Sequence, residues 1–209
     1  NVGRALTLAG IDALAVLPAA GNDPLVSALQ AAGVSYRIVP TAEPARTNLT
    51  ITEQDGTTTK LNEPGAALDE TTVRALTDAV LEAADGADWL VMSGSLPPGI
   101  PDDFYAHFAA VTAGNDTRLV LDSSGLALRD AIAAGGVYLA KPNLAEFEKL
   151  TGRTFTGPDD VGETAREGAG GVAPGLAQDR ALVESLRVAR LVGEHSLVDG
   201  QRLVGRPLL

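Results

Sequence analysis

The 209-residue chain contains no cysteine, two histidines, one tryptophan and one methionine, and only 4% of its residues are aromatic. Without a thiol there is no disulfide, no cysteine-ligated zinc and no thiol nucleophile. The histidines, His107 and His195, lie far apart and have no partners at metal-ligand spacing. Structural or surface roles are expected for both. Lysine and arginine number 16 against 27 aspartates and glutamates, a formal charge of −11. That balance argues against nucleic acid and anionic membranes as partners, since both reward clustered cations. No stretch approaches the ~18 apolar residues of a membrane span, and no signal peptide is visible, so a cytoplasmic setting is expected. The chain opens Asn1-Val2-Gly3-Arg4 without methionine and already in a helical pattern, which leads us to expect a preceding segment.

Alanine, valine, leucine and 23 glycines dominate what is there. Small aliphatic cores of this kind suit a buried parallel sheet. The spacing predicts a helix over 1–9 closed by Gly10, a strand over 12–17, a helix over 24–32 stopped by Gly33, and a strand over 34–39. Residues 47–62 differ in kind: Asn48-Leu49-Thr50-Ile51-Thr52-Glu53 alternates, Asp55-Gly56 marks a turn, and 57–61 is β-prone. This predicts a β-hairpin at about 45–65, placed at an edge as a lid. Asp69 is a candidate N-cap for a helix through Ala84, its acidic residues forming a solvated face. Three strand–helix units follow: 88–93 with 102–113, 118–122 with 126–134, and 137–141 with 144–150. Strands alternating with helices imply an α/β fold around a mostly parallel sheet. Beyond about Arg166 the pattern degrades: 167–175 is glycine-rich, 177–192 has helical spacing, and no clear strand–helix unit is visible.

Three of these strands end in polar, turn-forming segments: Ser93-Gly94-Ser95-Leu96-Pro97-Pro98-Gly99, Asp122-Ser123-Ser124-Gly125, and Lys141-Pro142-Asn143. In a parallel sheet they share one edge, where small residues let backbone N–H groups approach an anion. Lys141, Asn143 and Glu146 place a cation, an amide and a carboxylate within six residues, a set suited to a polyphosphate and its magnesium ion. Arg46-Thr47-Asn48 opens the hairpin. Arginine there suits bidentate contact with a phosphate, and asparagine suits sugar hydroxyls. Lys60 and Asn62 return from the hairpin toward the same region.

Taken together, these segments resemble the PfkB (ribokinase-like) family of carbohydrate kinases, and within it most closely the 1-phosphofructokinase branch. The likeness runs over about residues 1–166. Asn1-Val2-Gly3-Arg4 resembles the end of the family's Gly-Gly-Lys-Gly-x-Asn-x-Ala sugar motif. Arg46-Thr47-Asn48-Leu49-Thr50 and Thr59-Lys60-Leu61-Asn62-Glu63-Pro64-Gly65 resemble its phosphosugar lid. Ser93-Gly94-Ser95-Leu96-Pro97-Pro98-Gly99 and Lys141-Pro142-Asn143-x-x-Glu146 resemble two further family segments, and four motifs in order are specific. The resemblance implies a ribokinase-like three-layer sandwich with a small hairpin lid, incomplete at both ends. It implies ATP-dependent phosphorylation of fructose 1-phosphate to fructose 1,6-bisphosphate. Carried over position by position, Arg46 would hold the substrate phosphate, with Asn1, Asn48, Gly94 and Ser95 at the sugar. Lys141 and Asn143 would face the ATP phosphates, and Glu146 would act on Mg²⁺ through water.

The family's catalytic aspartate stands in a Gly-x-Gly-Asp motif, and the 209 residues contain none. Gly168-Ala169-Gly170-Gly171 has glycine at that position and follows Asn143 too closely. The expectation is therefore a kinase-type domain over 1–166 and an atypical tail over 167–209 in place of the nucleotide-binding half, without normal turnover. Two alternatives stand beside it: a non-catalytic sugar-phosphate-binding domain, and a sister kinase for tagatose 6-phosphate or fructose 6-phosphate. The apolar hairpin face of Leu49 and Ile51 suggests a homodimer formed through the lid.

Overall fold

Gly10 and Gly33 end their helices in the same way, and both strands that follow begin later than the sequence spacing predicts. In the computed structural model, which describes residues 1–157, 160 and 161, α1 spans Val2–Leu8 and α2 spans Pro24–Ala31. Gly10, at φ 71°, donates to the Thr7 carbonyl and Ile11 to that of Leu6; Gly33, at φ 66°, donates to Gln30 and Val34 to Leu29. Each is a Schellman closure, which consumes one residue beyond the glycine. Val34 is that residue for α2, so β2 runs over Ser35–Pro40 rather than from 34; for α1 it is Ile11, and β1 runs over Leu14–Ala19, two residues later than the predicted start at 12.

Packing divides the described residues into two units, Asn1–Leu90 with Ser95–Phe104, and Val91–Gly94 with the described residues from Tyr105 onward. In the first unit β1 and β2 pair in parallel, Leu14 opposite Ser35 through Ala19 opposite Pro40. The helix α3, Glu70–Ala84, packs on both strands and buries Leu76 and Val80, one turn apart. Asp69 caps it, its carboxylate accepting from Thr72 N–H at 2.7 Å. On the outer face Arg74 pairs with Glu70, and Glu82 with Arg37 of β2, as expected of a solvated surface.

The hairpin is β3, Asn48–Thr52, antiparallel to β4, Thr58–Asn62. Its register puts Leu49 opposite Leu61 and Ile51 opposite Thr59 on one face, with Thr50 opposite Lys60 on the other. Every residue of both strands is exposed.

The second unit holds β5 (Trp89–Ser93) from Val91 on, with β6 (Arg118–Asp122) and β7 (Val137–Ala140), in that strand order, the last two parallel. Three helices accompany them, α4 (Phe104–Thr112), α5 (Gly125–Ala134) and α6 (Leu144–Thr151). The helix predicted over 102–113 is shorter because Phe104 N–H donates to Pro101 at 3.0 Å, making Asp102 and Asp103 a turn. Phe108, Leu119, Leu121 and Leu128 are wholly enclosed and form the centre of this core. Fold class is α/β with mostly parallel sheet, as the alternation implied. Among the described residues no helix is long and apolar enough to cross a membrane. The glycine-rich stretch over 167–175, Gly168-Ala169-Gly170-Gly171, the predicted helix over 177–192 and His195 lie outside the described residues.

Candidate active site

At the foot of the hairpin Arg46 donates from Nη2 to the Ser95 hydroxyl at 2.6 Å. The next residue, Thr47, donates its N–H to the Glu63 carboxylate at 2.9 Å, so entry to and exit from the hairpin are tied together. Arg46 and Ser95 border a cleft of about 150 Å³ whose walls include Pro18, Pro44, Pro64 and Pro97, with Thr41 and Glu43 beside them. All its lining residues belong to the first unit. Proline walls fix φ and hold the cleft's shape. Gly65 stands beside the arginine stem at φ 87°, a backbone that favours glycine; a Cβ there would only touch Arg46 Cβ, at 3.6 Å. A guanidinium on a rigid rim, exposed and already oriented by a hydroxyl, is a ready anion contact.

The other expected sugar contacts are distributed differently. Asn48 begins β3 opposite Asn62 at the hairpin base, two residues from Arg46. Asn1 is exposed and caps α1 without a side-chain hydrogen bond; it does not line the cleft. Gly94, at φ 113°, has its backbone fully engaged within the second unit. Its N–H donates to Asp122 O at 2.9 Å, and its carbonyl accepts from Tyr105 Oη at 2.9 Å and Ser123 Oγ at 3.1 Å. What Gly94 offers a ligand is its missing side chain rather than a free N–H. Burial pushes the Tyr105 hydroxyl up to about 12. The last residue of that segment, Gly99, serves packing: at φ 91°, a Cβ there would lie 2.1 Å from Leu68 O.

The carboxyl ends of β5, β6 and β7 do come together, as the parallel arrangement implied. Gly94 N–H bonds Asp122 O, and Lys141 N–H bonds Leu121 O at 3.0 Å. Lys141 Nζ lies 3.2 Å from Asp122 Oδ1, with both side chains about half exposed at 52% and 40%. An ion pair this open holds the ammonium loosely and lets it change partners. The predicted strand over 137–141 ends one residue sooner, at Ala140, so Lys141 falls just outside β7.

Asn143 and Glu146 have a role that the spacing had not suggested. Asn143 caps α6, accepting from Glu146 N–H at 3.0 Å, while Glu146 Oε2 accepts from Asn143 N–H at 2.8 Å. This is a reciprocal capping box. The signal was present, since a cap residue followed three places later by glutamate spells this motif. Asp122 as the partner of Lys141, and Asp23 behind the cleft, were also missed. For Asp23 the signal was Asp23-Pro24, a cap followed by proline at the first helical position. His107 is exposed and edge-on to Phe108, ring centres 5.3 Å apart, in keeping with a structural or surface role.

Among the described residues, no three acidic or histidine side chains gather as a direct metal site. Magnesium needs no such cage, because it commonly takes one or two carboxylates with phosphate oxygens and water. Glu146 fits that use through Oε1, with Oε2 committed to the cap.

Residues 1–173 match the family model described as pfkB family carbohydrate kinase. The ATP-dependent 6-phosphofructokinase isozyme 2 of Escherichia coli K12 is 39% identical over 170 residues, covering 80% of this chain and 55% of that protein. The 1-phosphofructokinase of Rhodobacter capsulatus is 42% identical over 125 residues, covering 58% of this chain and 39% of its own length. The tetrameric inhibited form of phosphofructokinase-2 from Escherichia coli superimposes with a TM-score of 0.70 at 39% identity, over 79% of this chain and 55% of that one. The chain thus spans about half the length of the two Escherichia coli proteins it matches.

Proposed function

Because the chain belongs to the pfkB family of carbohydrate kinases, we propose that its first unit binds a fructose monophosphate at the Arg46 cleft, as the sugar-binding part of a phosphofructokinase-type enzyme. The observation that carries this reading is Arg46 itself, held by Ser95 at 2.6 Å on the rim of a proline-walled cleft. The guanidinium takes the phosphate, Ser95 and Asn48 take hydroxyls, and the hairpin covers the sugar. The lid sequence favours fructose 1-phosphate. Relatives named for 1- and 6-phosphofructokinase activity make fructose 6-phosphate the direct competitor.

In the second unit, Lys141 is the residue to meet the phosphates of ATP, exchanging Asp122 for a phosphate oxygen. The family's activity uses ATP, and Mg²⁺ bound with it neutralises phosphate charge. Glu146 would orient one of its waters. Phosphoryl transfer depends mainly on such positioning and charge neutralisation. The 209 residues supply no Gly-x-Gly-Asp aspartate to take the proton of the attacking hydroxyl. This chain alone is therefore proposed to bind sugar phosphate without normal turnover.

The setting is cytoplasmic in this reading, and a second copy covers the apolar hairpin face. Leu49, Ile51 and Leu61 are 52%, 48% and 56% exposed there, and a two-stranded sheet is marginal by itself. The relative crystallised as a tetramer favours self-association; light scattering that finds only monomer at micromolar concentration would count against it.

The test of function is calorimetric titration with fructose 1-phosphate, fructose 6-phosphate and tagatose 6-phosphate, alongside ADP release with MgATP. Saturable binding of one sugar phosphate with negligible ADP is expected. Turnover at ordinary kinase rates would require another base, and no binding of any of the three would remove the reading.

A further inference from the structure

We propose that Asp23 is the positioning residue of the Arg46 cleft: its buried carboxylate fixes the backbone at Ala45 and so sets the direction of the adjoining guanidinium. This rests on the reading of that cleft as the sugar-phosphate site.

Asp23 is the one charged side chain buried among the described residues, only 3% exposed. A carboxylate is costly to bury unless hydrogen bonds replace its water. Asp23 has two such bonds, on different oxygens and to different parts of the chain. Oδ1 accepts from Leu25 N–H at 2.8 Å and caps α2, whereas Oδ2 accepts from Ala45 N–H at 2.5 Å, 22 residues away. Its own N–H donates to Ala20 O at 3.1 Å, which fixes the residue at the end of β1.

Capping α2 alone would not call for this residue, since serine or threonine caps as well without a buried charge. The second oxygen is what distinguishes aspartate, and it is spent on the segment that carries Arg46. Residues 41–47 have no helix or strand of their own. Thr41 N–H donates to Ala19 O at 3.1 Å at one end, and Thr47 N–H to Glu63 at 2.9 Å at the other. The Asp23–Ala45 bond falls between these ties, one residue before the arginine. A fork-shaped donor such as guanidinium loses its bidentate fit when its root shifts by an ångström or less.

The variant Asp23→Ser retains a cap for Leu25 but is too short to reach Ala45. In the 209-residue chain titrated with fructose 1-phosphate, D23S is expected to bind about tenfold more weakly, the loss of one charge-assisted hydrogen bond, with unchanged helical circular dichroism. Placed on Arg46→Lys, where the fork is already gone, the same change should weaken binding less than on wild type. A purely structural role would impose the same penalty on both backgrounds. Should D23S lose helical signal, Asp23→Asn, which keeps size and one acceptor, decides the question by the same comparison. Wild-type affinity in D23S and D23N, or equal penalties on both backgrounds, would overturn the proposal while leaving the cleft's function intact. A wild-type chain that binds no sugar phosphate would overturn both.

Discussion

Asn143 and Glu146 each accept the other's backbone N–H, at 3.0 and 2.8 Å, and so close the first turn of α6. Two residues expected to serve a nucleotide thus have a structural task as well. Asn143→Ala should lower stability by about 1 kcal/mol, and Asn143→Ser by much less. Thermal unfolding would show a fall of roughly 2–4 °C for the alanine variant. No shift would mean that the cap does not form in solution.

Gly99→Ala should be far more damaging. The added Cβ would meet the Leu68 carbonyl at 2.1 Å in a backbone at φ 91°, where alanine is already strained. The Leu68 N–H to Pro98 O bond of 2.8 Å depends on the same close approach. We expect a loss of about 2 kcal/mol or more in chemical denaturation. A change under about 0.5 kcal/mol would contradict this account of the glycine.

Tyr105 gives an alkaline signature. Its hydroxyl donates to Gly94 O and ionises at about 12 against an ordinary value of 10.0, because burial disfavours the phenolate. A raised acid pKa means the native advantage is intact below pH 10 and is lost as pH rises through about 12. Phenolate absorbance should show a late tyrosine step that Tyr105→Phe removes. If the step persists in the variant, another residue is responsible.

Asp69 works at the opposite end of the pH scale. The Thr72 N–H it accepts holds its carboxyl below the ordinary 3.8. Stability from this cap is present above pH 3.8 and lost as pH falls through the lower native value. Acid unfolding of Asp69→Ala should depend less on pH in that range than wild type. Parallel curves would argue against the cap.

The parts legible in sequence were those with a local cause. Gly10 and Gly33 announced helix ends, Asp55-Gly56 announced the hairpin, and Asp69 announced α3. The strand start after Gly33 was displaced because a Schellman closure takes one more residue than hydrophobic spacing reveals. At the site, Arg46, Ser95 and Lys141 were visible as residue types at strand and hairpin ends. Their partners were not, because Asp122 and Asp23 act across separations of 19 and 22 residues that periodicity does not encode. Gly94 was read as a site residue from its neighbours, while its φ of 113° and its three backbone hydrogen bonds show why glycine is needed there.

The central claim is that Arg46 holds the phosphate of a fructose monophosphate. Its most direct test is the affinity of the wild-type chain and of Arg46→Ala for fructose 1-phosphate and fructose 6-phosphate by calorimetry. Saturable binding of at least one of them, weakened about a hundredfold or more in the variant, is predicted from the loss of a charge-assisted bidentate contact. Equal affinity in the two proteins would contradict it.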